Sequence, residues 1–379
     1  MQRLFLLFAL ATLPCFAVLA GGQVTPGTPS FSAYDTDPSG YTTVNLQNLN
    51  VMMNVPVMSK SGAFPYVFGL QGANSYVYLN GSLLEPGYEV VTLLPTKNGA
   101  DYGTGNTATT GVTCPAGDGT GTATKYGAWY VSENIGTRHY LPSTDVSYVG
   151  ATCSAGFTDM TTDGSGVILS VTGATVNSVY LRDGSRVLNG TIIKQDSNGN
   201  AISVSGSSDV DTLGVRVLTY SSGTNTNTYS WTDVNGGTPQ STTTYTGYVL
   251  RSAFGCTGKT DYNTGSTNQI PTSISFPDGT SLGLAWEATP GFSSDRTGRI
   301  ATVTMRDGSS TVSFNYNPNS AANDGLNCTY LVPNNLSRTT SDGTVTYAWA
   351  HTSTGNTTTK IDVGGNKFVY TFNSTPVLT

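Results

Sequence analysis

Asp295-Arg296-Thr297-Gly298-Arg299-Ile300-Ala301-Thr302-Val303-Thr304-Met305 is followed by Arg306-Asp307-Gly308-Ser309-Ser310 and then by Thr311-Val312-Ser313-Phe314-Asn315-Tyr316. Two runs rich in β-branched and aromatic residues thus flank an Asp-Gly pair, which reads as strand, turn, strand. Side chains alternate between the two faces of a strand. If the first run is regular, Ile300, Thr302 and Thr304 share one face and Ala301, Val303 and Met305 the other. Val312, Phe314 and Tyr316 share one face of the second run. The Val303–Met305 face is expected to join them in a core, leaving Thr302 and Thr304 outward. Gly298 and Gly308 are expected at turns with positive φ.

The same pattern extends outward from this unit. Alternating runs occur at 75–79, 201–205, 344–347 and 367–372. Asp-Gly pairs begin, among other places, at Asp118, Asp163, Asp183, Asp278, Asp307 and Asp342, and Asn-Gly pairs at Asn80, Asn98, Asn189, Asn198 and Asn235. Such pairs suit two-residue hairpin turns, which need positive φ at both central positions. Arg-Asp-Gly-Ser occurs twice, from Arg182 and from Arg306. No stretch keeps a helical apolar period over several turns. The sequence therefore predicts an all-β protein with almost no helix, built from degenerate hairpin repeats that each need neighbours to bury a face.

Composition narrows the function classes. Charged residues make up 11% of the chain, against roughly 25% in an average globular protein. Gly numbers 45 and Tyr 21, which suits strands and turns and argues against disorder. The net charge of −6 and the lack of basic runs argue against a nucleic-acid partner. Residues 4–20 are apolar apart from Thr12, with Val18-Leu19-Ala20 as a cleavage site, so 1–20 reads as a secretory signal peptide. No later stretch is apolar long enough to span a bilayer. Cleavage leaves four cysteines, Cys114, Cys153, Cys256 and Cys328, which allow three connectivities. Pairing Cys114 with Cys153 and Cys256 with Cys328 keeps each bridge within one segment. Residues 21–39 read as a linker, 40–165 as a small N-terminal β-domain with long Gly/Thr-rich loops, and 166–379 as the repeats.

These motifs resemble the bacterial RHS or YD-repeat proteins. Their unit has an Asp-x-x-Gly-Arg turn, a Thr/Val strand, a Gly turn and a strand ending at Tyr. Asp295-x-x-Gly298-Arg299 with Asp307-Gly308 and Tyr316 follows that order. Asp196-x-x-Gly199-Asn200 and Asp211-x-x-Gly214-Val215 resemble variants of the turn, as does Asp362-Val363-Gly364-Gly365-Asn366-Lys367. Val44-Asn45-Leu46-Gln47-Asn48-Leu49-Asn50-Val51, then Val55-Pro56-Val57 and Lys60-Ser61-Gly62, is similar to the segment that precedes the array in secreted members. The resemblance covers about half of the chain. It implies a curved antiparallel sheet of hairpins with a structural role, in complete members a shell around a cargo. The family's closing core, rich in Asp-Pro and Gly-Leu, does not occur in these 379 residues, so the chain is expected to be a portion or a truncated member.

Signals for catalysis are weak. A glycosidase needs two facing carboxylates, and the chain has only Glu85, Glu89, Glu133 and Glu287 beside its aspartates. Glu287 follows Trp286 but reads as an exposed acid on a strand. His139 and His351 lie near no Gly-x-Ser-x-Gly elbow and read as surface or sheet-packed residues. Asp196-x-Asn198-x-Asn200 begins like a calcium loop, but Ala201 and Ser207 stand where Gly and Glu belong. Asp35-Thr36-Asp37 reads as a solvated loop. The expectation is a non-catalytic structural or interaction protein with no cofactor or metal, exported or on the cell surface. Its candidate partners are a protein cargo or a cell-surface polysaccharide. The competing reading is a carbohydrate-binding or adhesive module using Trp129, Trp231, Trp286 and Trp349 as a stacking face.

Overall fold

The computed structural model describes residues 34–60, 66–73, 76–79, 83–86, 94–97, 102–114, 121–133, 138–188, 192–258, 260–316, 326–330 and 332–372. The expected signal peptide at 1–20 lies outside them. The described chain is all-β, and no helix among the described residues is long and apolar enough to cross a membrane.

A single antiparallel ladder runs from Tyr102–Thr113 to Lys367–Phe372, mostly from one strand to the next in sequence. At one place it comes round on itself. The strands Gln240–Arg251, Asn263–Ser275, Ser281–Thr289 and Phe292–Thr304 form a circuit closed by a parallel pairing of Leu250 with Arg296.

Six of the turns share one construction, and it differs from the two-residue turn expected. In Asp196–Asn200 the Asp N–H donates to the fifth carbonyl (2.9 Å) and the Gly199 N–H returns to the Asp carbonyl (3.2 Å). Only Gly199 has positive φ, at 87°. The loop is thus a type I turn closed by a left-handed glycine, so Asp or Asn never has to enter that region. Asp211–Val215, Asp233–Gly237 and Asp362–Asn366 repeat it, and in each the Asp Oδ1 accepts from the N–H four residues on, at 2.8–2.9 Å. In Leu181–Ser185 and Phe276–Thr280 the Asp sits at the third position instead. Gly308 holds φ of 72° in the Met305–Ser310 turn. There the Asp307 carboxylate accepts from the Ser310 hydroxyl and the Ser309 and Ser310 N–H groups, which hold it down to about 2.

Asp295-x-x-Gly298-Arg299 departs from this pattern. It lies inside the long strand Phe292–Thr304, where the chain outruns its partner between Trp286 and Ala288. Gly298 has φ of 86° but serves a strand irregularity, not a turn. A second irregularity places Ala301 between the pairs Ala285–Thr302 and Trp286–Ile300. Val303, Met305, Val312, Phe314 and Tyr316 are all buried, as expected, and Thr302 and Thr304 are half-buried. Ile300 is buried too, because the extra residue shifts the alternation by one.

The expected separation of 40–165 from 166–379 is not a break in the sheet, since Gly156–Met160 pairs with Ile168–Thr172. Packing divides the chain differently. Trp129, Val131 and Leu141 form one core with Val167, Leu169, Val171 and Val179. The strands Tyr34–Thr36, Thr42–Asn45, Val51–Lys60, Tyr66–Ala73 and Leu94–Lys97 form a separate sheet. Its Val44, Leu49, Val51, Val55 and Leu70 merge with the core of the later hairpins, from Ile202 to Phe372. The end of the expected linker is therefore a strand. The half-buried face of the early sheet leaves it no better partner than the repeats.

Cys114 and Cys153 place their sulfurs 2.06 Å apart, and Cys256 and Cys328 place theirs 2.01 Å apart. These are the two pairs expected from sequence, and such bonds persist in oxidising compartments.

Candidate functional site

Two charged centres fasten the fold, and both use acids that the sequence reading left in solvent. The first is Asp35. Its carboxylate accepts from the Lys360 ammonium at 2.8 Å, the Tyr347 hydroxyl at 2.5 Å and the Arg338 guanidinium at 3.4 Å. The same guanidinium donates to the Asp35 carbonyl at 2.7 Å. Beside it, the turn at 45–50 presents the Leu46 and Gln47 carbonyls to Thr358, Trp349 and Asn356 of the last hairpins. Leu49, in this turn, is fully buried with φ of 54°, a strained conformation that the surrounding packing holds. The 34–50 segment is thus latched to the end of the repeat array by both charge and hydrogen bonds.

Burial alone would push the Asp35 carboxyl up. The hydrogen bonds from Lys360 and Tyr347 and the charges of Arg338 and Lys360 outweigh it and hold the group below its usual range. Its folded value is depressed, so its contribution is present above the ordinary value of 3.8 and is lost as pH falls through the folded value. Asp35→Asn is expected to cost about 2 kcal/mol at neutral pH, below the 3–5 kcal/mol of a fully buried pair because solvent still reaches the site. The same variant should flatten the acid limb of stability below that pH. Urea melts at pH 7 and pH 3 check both points.

The second centre is Arg299. It is fully buried and donates to Glu287 through Nε at 2.5 Å and Nη2 at 2.8 Å. Thr297 Oγ1 donates to the same carboxylate at 2.6 Å. The guanidinium lies 4.4 Å from the Tyr316 ring centroid and 5.0 Å from that of Phe254, within cation–π range. The Tyr316 hydroxyl donates to the Ile300 carbonyl at 3.0 Å. Glu287 is therefore an ion-pair partner, not a free surface acid. Next to it, Asp295 pairs with Arg251 at 2.6 Å, and that bond holds its carboxyl below the usual range. Of the 295–316 unit, Arg299 and Tyr316 pack on each other, while Asp295 is held by Arg251. Asp196, Gly199, Asp211 and Gly214 lie in the hairpin turns already described.

The other candidates behave as packing groups. His139 is 2% exposed and its Nδ1 sits 2.6 Å from Asp163 Oδ2. Burial pushes the Asp163 carboxyl up, but its bonds to His139 and Ser165 leave it lowered. Asp145 is raised by burial and by the neighbouring Asp159 carboxylate. No group of three or more His, Cys, Asp or Glu is placed to hold a metal among the described residues.

Three of the four tryptophans are buried, at 1% for Trp129, 7% for Trp286 and 5% for Trp349, and Trp231 is half-buried. Their indole N–H groups turn inward, Trp286 to the Pro271 carbonyl at 2.6 Å and Trp349 to that of Gln47 at 2.9 Å. They do not form the stacking face of the competing reading. What the sheet shows outward is small hydroxyl residues paired across strands, such as Thr246 with Thr272, Thr302 with Ser313 and Thr339 with Thr344. A surface of this kind offers shape and hydrogen bonds but little charge. Sequence reasoning missed Asp35, Arg338, Tyr347 and Lys360, because their partners lie some 300 positions apart and leave no local pattern. No protein-family model matches the chain, and no curated protein is significantly similar to it.

Proposed function

We propose that this chain is an exported, non-catalytic structural or interaction protein of the RHS/YD-repeat type, at the cell surface or released, and part of a larger shell-forming protein. One observation carries the reading. An N-terminal strand pair is sealed by Asp35 and the 45–50 turn into the core of a long run of hairpins, as a closing piece is fitted to a wall. The polar groups gathered at Asp35 and Arg299 are spent on each other, which favours a mechanical role over a chemical one. Two cysteine pairs at bonding distance fit an oxidising destination. The adhesive reading has less behind it, because the tryptophans it would use are buried.

Fractionation of the producing cell, with protease shaving of intact cells and N-terminal sequencing of the mature chain, tests the proposal. The expected result is an exported chain beginning near Gly21 that binds no glycan on an array. A chain retained inside the cell with Met1 in place would overturn it. Specific binding to one glycan class would replace it with the adhesive reading.

A further inference from the structure

We propose that the Cys256–Cys328 bond is a thiol-exchange site, and that its reduction by a dithiol releases the loop carrying Phe254, Cys256 and Asp261 together with the hairpin of Tyr76–Leu79 and Leu83–Pro86. The proposal rests on where the two bridges sit, independently of the proposed function.

The two bridges have different settings. Cys114 and Cys153 are both buried, in a cluster with Ala123 against which Val112 and Tyr148 pack. Their backbones belong to turns of the ladder itself. The Cys114 N–H donates to the Gly121 carbonyl at 3.1 Å, and the Cys153 carbonyl accepts from the Gly150 N–H at 2.8 Å. Cys256 is buried too, but Cys328 is only half-buried and its neighbour Thr329 is exposed. Exchange needs a thiolate to reach a sulfur, and of the four bridged cysteines Cys328 is the one that solvent reaches.

The step balances with a dithiol as reductant. One thiolate of the reagent attacks Cys328 Sγ, and Cys256 Sγ leaves as a thiolate that takes up a proton. The second thiolate of the reagent then displaces Cys328 Sγ, which is protonated in turn. The reagent ends as its own disulfide and both cysteines end as thiols.

What the bond holds lies outside the ladder. Leu326–Asn327 pairs with Val332–Pro333, and Thr260–Asp261 pairs with Leu83–Pro86. Among the described residues neither short strand pairs with a strand of the ladder. Phe254 and Cys256 pack on Leu326 and Cys328 in a cluster of their own, of which the bridge is half. The Asp261 carboxylate ties the loop into one piece, accepting from the Ser252 hydroxyl and the Phe254 N–H at 2.9 Å each. Phe254, Cys256 and Thr260–Asp261 therefore stay or leave together. Tyr76–Leu79 and Leu83–Pro86 have Thr260–Asp261 as their third strand, and a two-stranded hairpin by itself is marginal. Reduction thus takes the anchor from the loop, the third strand from the hairpin, and Phe254 from its place 5.0 Å from the Arg299 guanidinium.

Brief treatment of the full folded chain with dithiothreitol, followed by alkylation and peptide mapping, tests the exchange. Cys256 and Cys328 should be labelled at least about tenfold faster than Cys114 and Cys153, since exchange follows access. Hydrogen exchange on the same sample should then show protection lost at 76–79, 83–86 and 260–261 but kept at 311–315 and 343–352. Reoxidation should restore it. The double variant Cys256→Ser with Cys328→Ser should show the same pattern without reductant, and dithiothreitol should add nothing to it. Equal labelling of the two pairs, or labelling only on global unfolding, would overturn the proposal. So would selective reduction that leaves the Tyr76–Leu79 and Leu83–Pro86 strands as protected as before.

Discussion

Replacing Phe314 with alanine is expected to lower unfolding free energy by about 3–5 kcal/mol, as truncation of a buried aromatic does. Phe314 is 6% exposed and lies on one face with Val312 and Tyr316, against Val303 and Met305. Its strand is held between Phe292–Thr304 and Asn335–Thr340, so the cavity is bordered by backbone on both sides and has little room to collapse. Thr302→Ala, on the opposite face of the neighbouring strand, should change stability by no more than about 0.5 kcal/mol. Urea denaturation of the two variants measures the ratio. The reverse ranking would mean that the strand has slipped by one residue and turned its other face inward.

Glu287→Ala should cost about 3–4 kcal/mol for a different reason. Arg299 is 1% exposed and cannot recover water when its partner leaves. Breaking a buried pair from one side costs about 3–5 kcal/mol because it strands the remaining charge, and the upper part of that range is trimmed here because Glu287 is 25% exposed. The double change Glu287→Ala with Arg299→Met removes both charges and keeps an apolar stem against Tyr316 and Phe254. It should recover a large part of the loss, the signature of a desolvated ion pair in a double-mutant cycle. If the single and double variants were equally unstable, packing of the guanidinium would outweigh its charge.

The strand character of this protein was written locally. Alternation at 311–316 placed Val312, Phe314 and Tyr316 on one face, and burial agrees at each of them. The cysteine pairs followed from a simple preference for bridging within a segment. What failed did so where a local string has two structural uses. Asp211-x-x-Gly214 and Asp295-x-x-Gly298 look alike, yet the first is a hairpin end and the second a strand irregularity. The difference lies with Arg251 and Glu287, which claim Asp295 and Arg299 from the two strands that pair with Phe292–Thr304. Ile300 shares its expected face with Thr302 and Thr304, yet it is buried, because one extra residue, Ala301, inverts the alternation without altering composition. Asp35 was read as solvated because nothing near it is basic. Its three partners, Arg338, Tyr347 and Lys360, belong to the last strands of the array.

That distance has a consequence for how the molecule is made. Most pairings join neighbours in sequence and form as soon as two strands exist, which keeps the search short. The latch is the exception, with contacts separated by 303 and 312 residues. Synthesis delivers the N-terminal part first. Val44, Val51, Val55 and Leu70 therefore emerge long before the strands that cover them, and their apolar face must wait unsatisfied while the hairpins accumulate. Such an interval is when a chain is most exposed to aggregation or in need of a holdase. Closure at Asp35 should be the last event of folding, so the latch would report on the completed molecule: a chain interrupted before Arg338 has hairpins but nothing to close them with.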